Sequence, residues 1–325
     1  MKILFWSGKL GNSGPPNVTK QYLRHLNSSF DTVYCKSKYG ELLEGAWKLL
    51  FADVVVVSGV SRKGCLLVGL AQLLRKKSVY IMHGCAAYER LINETSGLDH
   101  GLKQEAYLLK NADLLLPVSR KFMYWVQEHY PQYVYKTKYL FNGIDKELLP
   151  QYAGVEKIPD SIIAAGGDRI QKANHVLADV VEAMNGHAFL HIYGGMSRPS
   201  PNECYRHVKY MGKIPQQQFA QKMAQSSLLV LNSVFEPFSL AAIEALMCGC
   251  SVLISEVAGV TDLLTLEETD IIHNPMDVDE IRSKIEYLLE HPNNERIMSS
   301  LDIEEYSYPR QVQKLEAMCR ELVSK

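Results

Sequence analysis

Two carboxylates, Glu236 and Glu244, bracket a stretch of chain suited to holding an anion. The apolar run Leu228-Leu229-Val230-Leu231 is too short for a helix and rich in branched side chains, so it reads as a buried strand ending near Asn232. A loop with Glu236 and Pro237 follows, then an alanine-rich helix from about Ser239 to Met247 that stops at Gly249. The first turn of such a helix leaves the amides of Phe238, Ser239 and Leu240 without intrahelical partners, at the positive end of the helix dipole. Phosphate oxygens bind well in that position. With an acid on either side, the stretch suits a ligand that has a diphosphate in its middle and hydroxyl-bearing sugars at both ends. Taken singly, Glu236 also reads as a solvated loop acid and Glu244 as a surface helix residue.

The elements around these residues form a strand, crossover helix and strand, closing with Ser251 to Ser255, the unit from which parallel sheets are built. The whole string, Glu236-Pro-Phe-Ser-Leu-Ala-Ala-Ile-Glu244-Ala-Leu-Met-Cys-Gly249 followed by Val257-Ala-Gly-Val-Thr-Asp262, resembles the signature of the large family four of retaining glycosyltransferases. The resemblance implies an α/β protein of the GT-B type, with two Rossmann-like domains facing each other across a cleft and a C-terminal helix crossing back to the first domain. By resemblance, Glu236 faces the transferred sugar, Glu244 holds the ribose hydroxyls, and the backbone from Phe238 to Leu240 meets the diphosphate or sugar. Ser239 stands where the family most often has Gly; its hydroxyl can cap the helix.

Further segments extend the resemblance. Ser161 to Ala165 reads as a strand, and Gly166-Gly167-Asp168-Arg169-Ile170-Gln171-Lys172 leads into a helix from about Asn174. Two cations at the mouth of a strand suit a departing diphosphate, and Arg169 and Lys172 resemble the family's Arg and Lys pair at a shorter interval. Gly194, after a strand at Phe189 to Tyr193, and Gly212-Lys213-Ile214 fall where the family places turns near the nucleotide and its base. In the first half, Val79 to Met82 is a strand that ends in His83-Gly84, and His83 is placed by resemblance on the acceptor side of the active site. Gly11 and Gly14 lie in a glycine-rich turn after the first strand, Lys2 to Ser7; their spacing does not match a dinucleotide fingerprint, and by resemblance this loop borders the cleft near the donor phosphates and the acceptor, which makes both site candidates. Ser119 is expected to cap a helix. Asn142-Gly143-Ile144-Asp145 resembles the motif marking passage between domains and reads locally as a turn in which Gly supplies positive φ. The expected division is 1–148 for the acceptor-side domain, joined by a helix at 308–325, and 149–307 for the nucleotide-sugar domain.

Composition narrows the class. The 325 residues are 47% hydrophobic and 22% charged, as in folded globular proteins. The formal net charge is -1, but residues 1–150 hold 20 Lys+Arg against 12 Asp+Glu, leaving 15 against 24 for the remainder. A basic first half favours an anionic acceptor or an anionic membrane surface. Arg62, Lys63, Arg75, Lys76, Lys77, Arg120 and Lys121 are the candidate cations, with Phe122, Tyr124 and Trp125 as interfacial aromatics. Seven scattered cysteines without paired spacing read as reduced thiols, and no metal site is expected. No apolar run is long enough to span a bilayer and Met1 leads directly into a strand, so a cytoplasmic location, possible at the inner membrane face, is expected.

The resulting expectation is a retaining, metal-independent transferase moving a sugar from a nucleoside diphosphate sugar, with UDP as the nucleotide, to a hydroxyl of a glycan or lipid-linked glycan. No cofactor and no nucleic-acid partner is implied. Arg169, Lys172 and the helix amides would answer the charge on the leaving diphosphate, and Glu236 with groups around His83 the charge at the anomeric carbon. Two alternatives stay open: a nucleotide-sugar epimerase of the same fold, and a non-catalytic partner subunit of another transferase.

Overall fold

The computed structural model describes residues 1–7, 14–35, 37, 39–94, 99–146, 152, 154–197 and 201–325. Contacts divide the chain into two units, Met1–Asp145 with Ile303–Lys325, and Lys146–Asp302.

The first unit is built on a five-stranded sheet, wholly parallel, in the order β2-β1-β3-β4-β5. Its strands and helices follow in the order β1 (Ile3–Ser7), α1 (Gly14–His25), β2 (Phe30–Thr32), α2 (Gly40–Phe51), β3 (Val54–Ser58), α3 (Arg62–Leu73), β4 (Lys77–Met82), α4 (Ala86–Ile92), α5 (Asp99–Asn111), β5 (Leu114–Pro117) and α6 (Arg120–His129). Central β3 reads Val-Val-Val-Val-Ser because helices cover both faces of a parallel sheet, and every one of these residues is buried. Helices α2, α3 and α5 pack side by side in one layer, while α1 packs with the C-terminal helix α12 (Tyr308–Ser324). Ser119 caps α6 by accepting from the Phe122 amide at 3.0 Å, as expected.

The Asn142-Gly143-Ile144-Asp145 segment corrects one expectation. Gly143 is not among the residues with positive φ. Its glycine is required by contact instead: a Cβ there would lie 2.4 Å from the Tyr308 ring and 2.7 Å from the Tyr308 Cα. The Ile144 amide donates to the Tyr306 carbonyl at 2.8 Å, so this motif is the seat of the returning C-terminal chain. Tyr308 in turn meets Tyr22 of α1 edge to face at 5.5 Å.

The second unit has a six-stranded sheet in the order β11-β10-β9-β6-β7-β8, also parallel throughout. It comprises β6 (Ile158–Ala165), α7 (Asn174–Ala183), β7 (Phe189–Tyr193), β8 (Val208–Gly212), α8 (Gln216–Gln225), β9 (Ser226–Leu231), α9 (Leu240–Met247), β10 (Ser251–Ser255), β11 (Ile271–Ile272), α10 (Val278–Glu290) and α11 (Asn294–Ser300). Its core joins Ile162, Leu190, Leu228 and Leu253 of the sheet to Leu177 and Val181 of α7 and Ile281 and Ile285 of α10. Each unit is a Rossmann-like layer of parallel strands between helices.

Candidate active site

In the second unit the chain runs outward from β6 to β7 and β8, then returns to lay β9 on the other side of β6. Loops leaving the carboxyl ends of β6 and β9 therefore turn opposite ways and open a crevice, the place where open α/β sheets bind ligands. Arg169 and Lys172 follow β6; Glu236 follows β9.

The β6 loop is fixed by glycine. Gly166 and Gly167, at φ 107° and 64°, both donate to the Tyr193 carbonyl, at 2.8 and 3.0 Å. A Cβ on Gly167 would lie 1.9 Å from the Gly195 carbonyl oxygen, and one on Gly194 would lie 2.3 Å from the Gly167 nitrogen, so two glycine turns rest backbone on backbone. Asn174 closes the turn from below, donating to the Ala165 and Gly167 carbonyls at 3.1 and 2.9 Å. A 3₁₀ turn, Ile170–Lys172, then ends at Ala173, which adopts a left-handed conformation at φ 42°. This geometry buries Lys172 while leaving Arg169 exposed, its Nε donating to the Gly166 carbonyl at 3.3 Å.

Lys172 forms an ion pair with the Glu236 carboxylate, both side chains about nine-tenths buried (10% and 11% exposed). The loops are also laced together around Gln171: the Val234 amide donates to the Gln171 carbonyl at 2.9 Å, and the Gln171 side-chain Nε2 donates to the Phe235 carbonyl at 3.3 Å. A buried ion pair contributes little net stability, because desolvating both charges offsets their attraction. Its place beside the crevice is therefore not accounted for by stability alone. Sequence spacing carries no sign of this pairing, and an expectation that sends Lys172 to a diphosphate does not include Glu236 as its partner.

The β9 loop is held from its far side by Gly259 and Val260, whose amides donate to the Glu236 and Phe238 carbonyls at 3.0 and 2.8 Å. Phe238 is buried and anchors the turn. Ser239 then takes φ 81°, ψ 93° at the N-cap of α9, and its hydroxyl makes no capping hydrogen bond. The expected cap is thus absent: this backbone conformation is one that Gly adopts without strain, and it points the serine away from the geometry in which a hydroxyl caps. Leu240 opens the helix, and Glu244, in its second turn, accepts from the Gln216 side chain at 2.7 Å. Gln216 opens α8 immediately after Lys213-Ile214-Pro215, so Glu244 is tied to the loop beyond β8. In that loop Gly212 has φ 71° and accepts from the Gly194 amide at 2.9 Å, and Lys213 passes beside Gly195. The carboxyl ends of β6, β7, β8 and β9 thus bring Arg169, Lys172, Gly194, Gly212, Lys213, Ile214, Glu236, Ser239 and Glu244 to one edge of the unit.

In the first unit His83 follows β4 directly. Its Nε2 lies 2.9 Å from the Ser58 hydroxyl at the end of β3, and that hydroxyl lies 3.0 Å from Thr19 Oγ1 on α1. The His83 Nδ1 is enclosed and has no hydrogen-bond partner among the described residues. Burial lowers its pKa from 6.5 to about 4, which keeps the ring neutral at ordinary pH. Beyond His83, the buried Glu105 carboxylate accepts from the Ala86 and Ala87 amides at 2.8 and 3.1 Å and so fixes the start of α4. Burial raises the Glu105 pKa. Ser58, Thr19 and Glu105 carry no motif; the one sequence cue is a serine ending a run of valines. Gly14 opens α1, and Gly11 lies outside the described residues. Of the expected interfacial aromatics, Phe122 is buried, and Trp125 is stacked on His129 at 3.9 Å and meets Tyr88 at a tilt at 4.8 Å, because α6 turns them onto its neighbours; Tyr124 is exposed. Among the described residues no helix is long and apolar enough to cross a membrane.

Two Rossmann-like units with this strand order and a returning C-terminal helix define the GT-B glycosyltransferase fold. Within the second unit, residues 159–291 match the family model described as "Glycosyl transferases group 1". The fold is shared with HepE of Anabaena, solved with UDP and glucose (TM-score 0.71, 16% identity, 99% of this chain and 100% of that one). It is shared too with sucrose-phosphate synthase of Thermosynechococcus elongatus (TM-score 0.69, 15% identity, 100% of both chains). WaaG, a glycosyltransferase involved in lipopolysaccharide biosynthesis, superposes with a TM-score of 0.63 at 14% identity over 98% of this chain and 99% of its own. No curated protein matches the chain in sequence. The resemblance read from the Glu236 to Glu244 string is borne out.

Proposed function

We propose that the protein is a retaining, metal-independent glycosyltransferase that moves a sugar from a UDP-sugar to a hydroxyl of a glycan or lipid-linked glycan at the cytoplasmic face of a membrane. The observation that carries this reading is the buried Lys172–Glu236 pair at the point where β6 and β9 diverge, beside the start of α9. The group 1 family match supports it, as does the complex of HepE with UDP and glucose.

On this reading the first-turn amides of α9 and the exposed Arg169 take the diphosphate, and Glu244 takes the ribose hydroxyls. Gly194 and the backbone of Gly212 to Ile214 border the base. Bond breaking adds negative charge to the diphosphate and positive charge to the anomeric carbon. Lys172 and Arg169 stabilise the first, and Glu236, released in part from Lys172 as the diphosphate draws that ammonium, faces the second. His83, neutral and held by Ser58, serves the acceptor side.

The test is UDP release from a panel of UDP-sugars, with and without glycan and lipid-linked acceptors, alongside the purified product. Acceptor-dependent release with retained anomeric configuration is expected. Arg169→Ala should slow transfer on the order of a hundredfold or more, the scale of losing one oxyanion donor. An undiminished rate in that variant refutes the assignment. A changed sugar nucleotide formed without any acceptor would make the protein an epimerase, and no turnover despite UDP binding would make it a partner subunit.

A further inference from the structure

Helix α2 has an uncovered apolar face. Leu43, Trp47, Leu50 and Phe51 fall on one side of it and are 71%, 63%, 47% and 60% exposed, with Trp47 and Phe51 meeting edge to face at 5.3 Å. The opposite side of the helix is the buried one, through Gly45 and Leu49, so this is a second apolar stripe beyond the one the core uses. The adjoining helix α3 adds Leu66 and Leu73, both exposed. Scattered exposed apolar residues need no account, but a contiguous face containing Trp and Phe marks an interaction surface.

Charge selects the occupant. The acids near this face are already matched: Glu41 pairs with Lys63, and Asp31 and Glu44 pair with Lys48, each at 2.9 Å. Helix α3 contains no acid. By contrast Arg62, Arg75 and Lys77 have no acid partner among the described residues. Lys76 donates to the Leu50 and Ala52 carbonyls, which fastens the Arg75–Lys77 turn to the end of α2 beside Leu50 and Phe51. The face is therefore apolar in the middle and cationic along its edge, and the exposed acid at the end of α2, Asp53, accepts from the Lys2 amide at 2.8 Å. A second copy of the same face would meet like charge with like, so self-association is disfavoured.

We propose that the α2–α3 face of the first unit docks on an anionic lipid surface, with Trp47 and Phe51 entering the headgroup boundary and Arg62, Arg75 and Lys77 meeting the lipid phosphates. Trp is favoured at such boundaries, and apolar area and cations add in binding there. This deepens the lipid-linked part of the proposed function and rests on it only for its purpose.

The test is flotation of the full chain with vesicles of phosphatidylglycerol and phosphatidylcholine, against phosphatidylcholine alone, at low and high salt, with UDP binding measured in the same samples. Binding to the anionic vesicles that weakens with salt is expected, with a blue shift of Trp fluorescence that Trp47→Phe abolishes. The paired variant Trp47→Glu with Phe51→Glu should lose flotation. Arg75→Glu with Lys77→Glu should weaken it by roughly fivefold per charge removed, while UDP binding stays as in the wild type. Wild-type protein that stays unbound at low salt, a Trp47→Glu/Phe51→Glu variant that floats as before, or a dimer in light scattering that this variant dissolves would each overturn the proposal. Loss of UDP binding in the wild type would count against the transferase reading alone.

Discussion

Ser239 shows how a single side chain departs from what its position asks for. Its flanks are pinned by hydrogen bonds from Gly259 and Val260, so the backbone holds φ 81° whatever residue stands there. A left-handed conformation costs an L-residue about 1 kcal/mol or more, which Gly avoids. Ser239→Gly should therefore raise stability by about 1 kcal/mol in thermal or urea unfolding; an unchanged or lower midpoint would mean that the turn relaxes around the serine. His83 supports a prediction of different form. Its folded pKa of about 4 lies below the ordinary 6.5, because burial disfavours the charged ring. The unfolded chain thus binds the proton first as pH falls, and the His83 contribution to stability, complete above about 6.5, is lost between there and about 4. His83→Asn should flatten that part of the stability profile, and a profile identical to wild type would show that the ring titrates normally. At this scale the sequence was informative where chemistry is local. Glu236, Glu244 and the helix between them are contiguous in the chain and could be read together. The Lys172–Glu236 pair and the Thr19–Ser58–His83 chain join residues far apart in sequence, and no spacing rule links them.

At the scale of elements, strands and helices were legible because parallel sheets demand continuous apolar strands, and Val54 to Val57 or Leu228 to Leu231 can be little else. What surrounds an element was not. The sequence of α2 shows apolar residues at helical spacing, but periodicity says which residues share a face and is silent on whether anything covers it. The Asn142-Gly143 pair was likewise legible as a special backbone site, yet for the wrong reason, since the demand comes from Tyr308, which lies far along the chain. Helix α12 is fastened at its middle by Glu316, which accepts from Asn27 and Ser29, each at 2.7 Å, and pairs with Arg320. These hydrogen bonds, chiefly those from Ser29 and Asn27, lower its pKa from 4.5 to about 2. Its stabilising effect is present above about 4.5 and lost as pH falls toward 2. Glu316→Gln should destabilise the first unit at neutral pH, and the gap from wild type should narrow through that acid range. A gap that stays constant down to about pH 2 would contradict the assignment.

For the molecule as a whole, the two units are unequal in one respect: Lys146–Asp302 is continuous in sequence and has its own core, whereas the other needs both ends of the chain. The edge that gathers Arg169, Lys172, Glu236 and Glu244 lies entirely within the continuous unit. A fragment spanning 146–302 should therefore melt cooperatively and bind UDP by calorimetry, while failing to transfer sugar. A fragment that folds but takes up no UDP would show that the nucleotide site draws on the first unit.

The cleft left open at Gly143 for Tyr308 has a consequence for how the protein is made. During vectorial synthesis on the ribosome, the segment that fills it emerges only after every strand of the second sheet has left the exit tunnel. The first unit is thus completed after the second, and until Tyr308 emerges its α1 surface and the Asn142–Asp145 seat stand bare in the nascent chain.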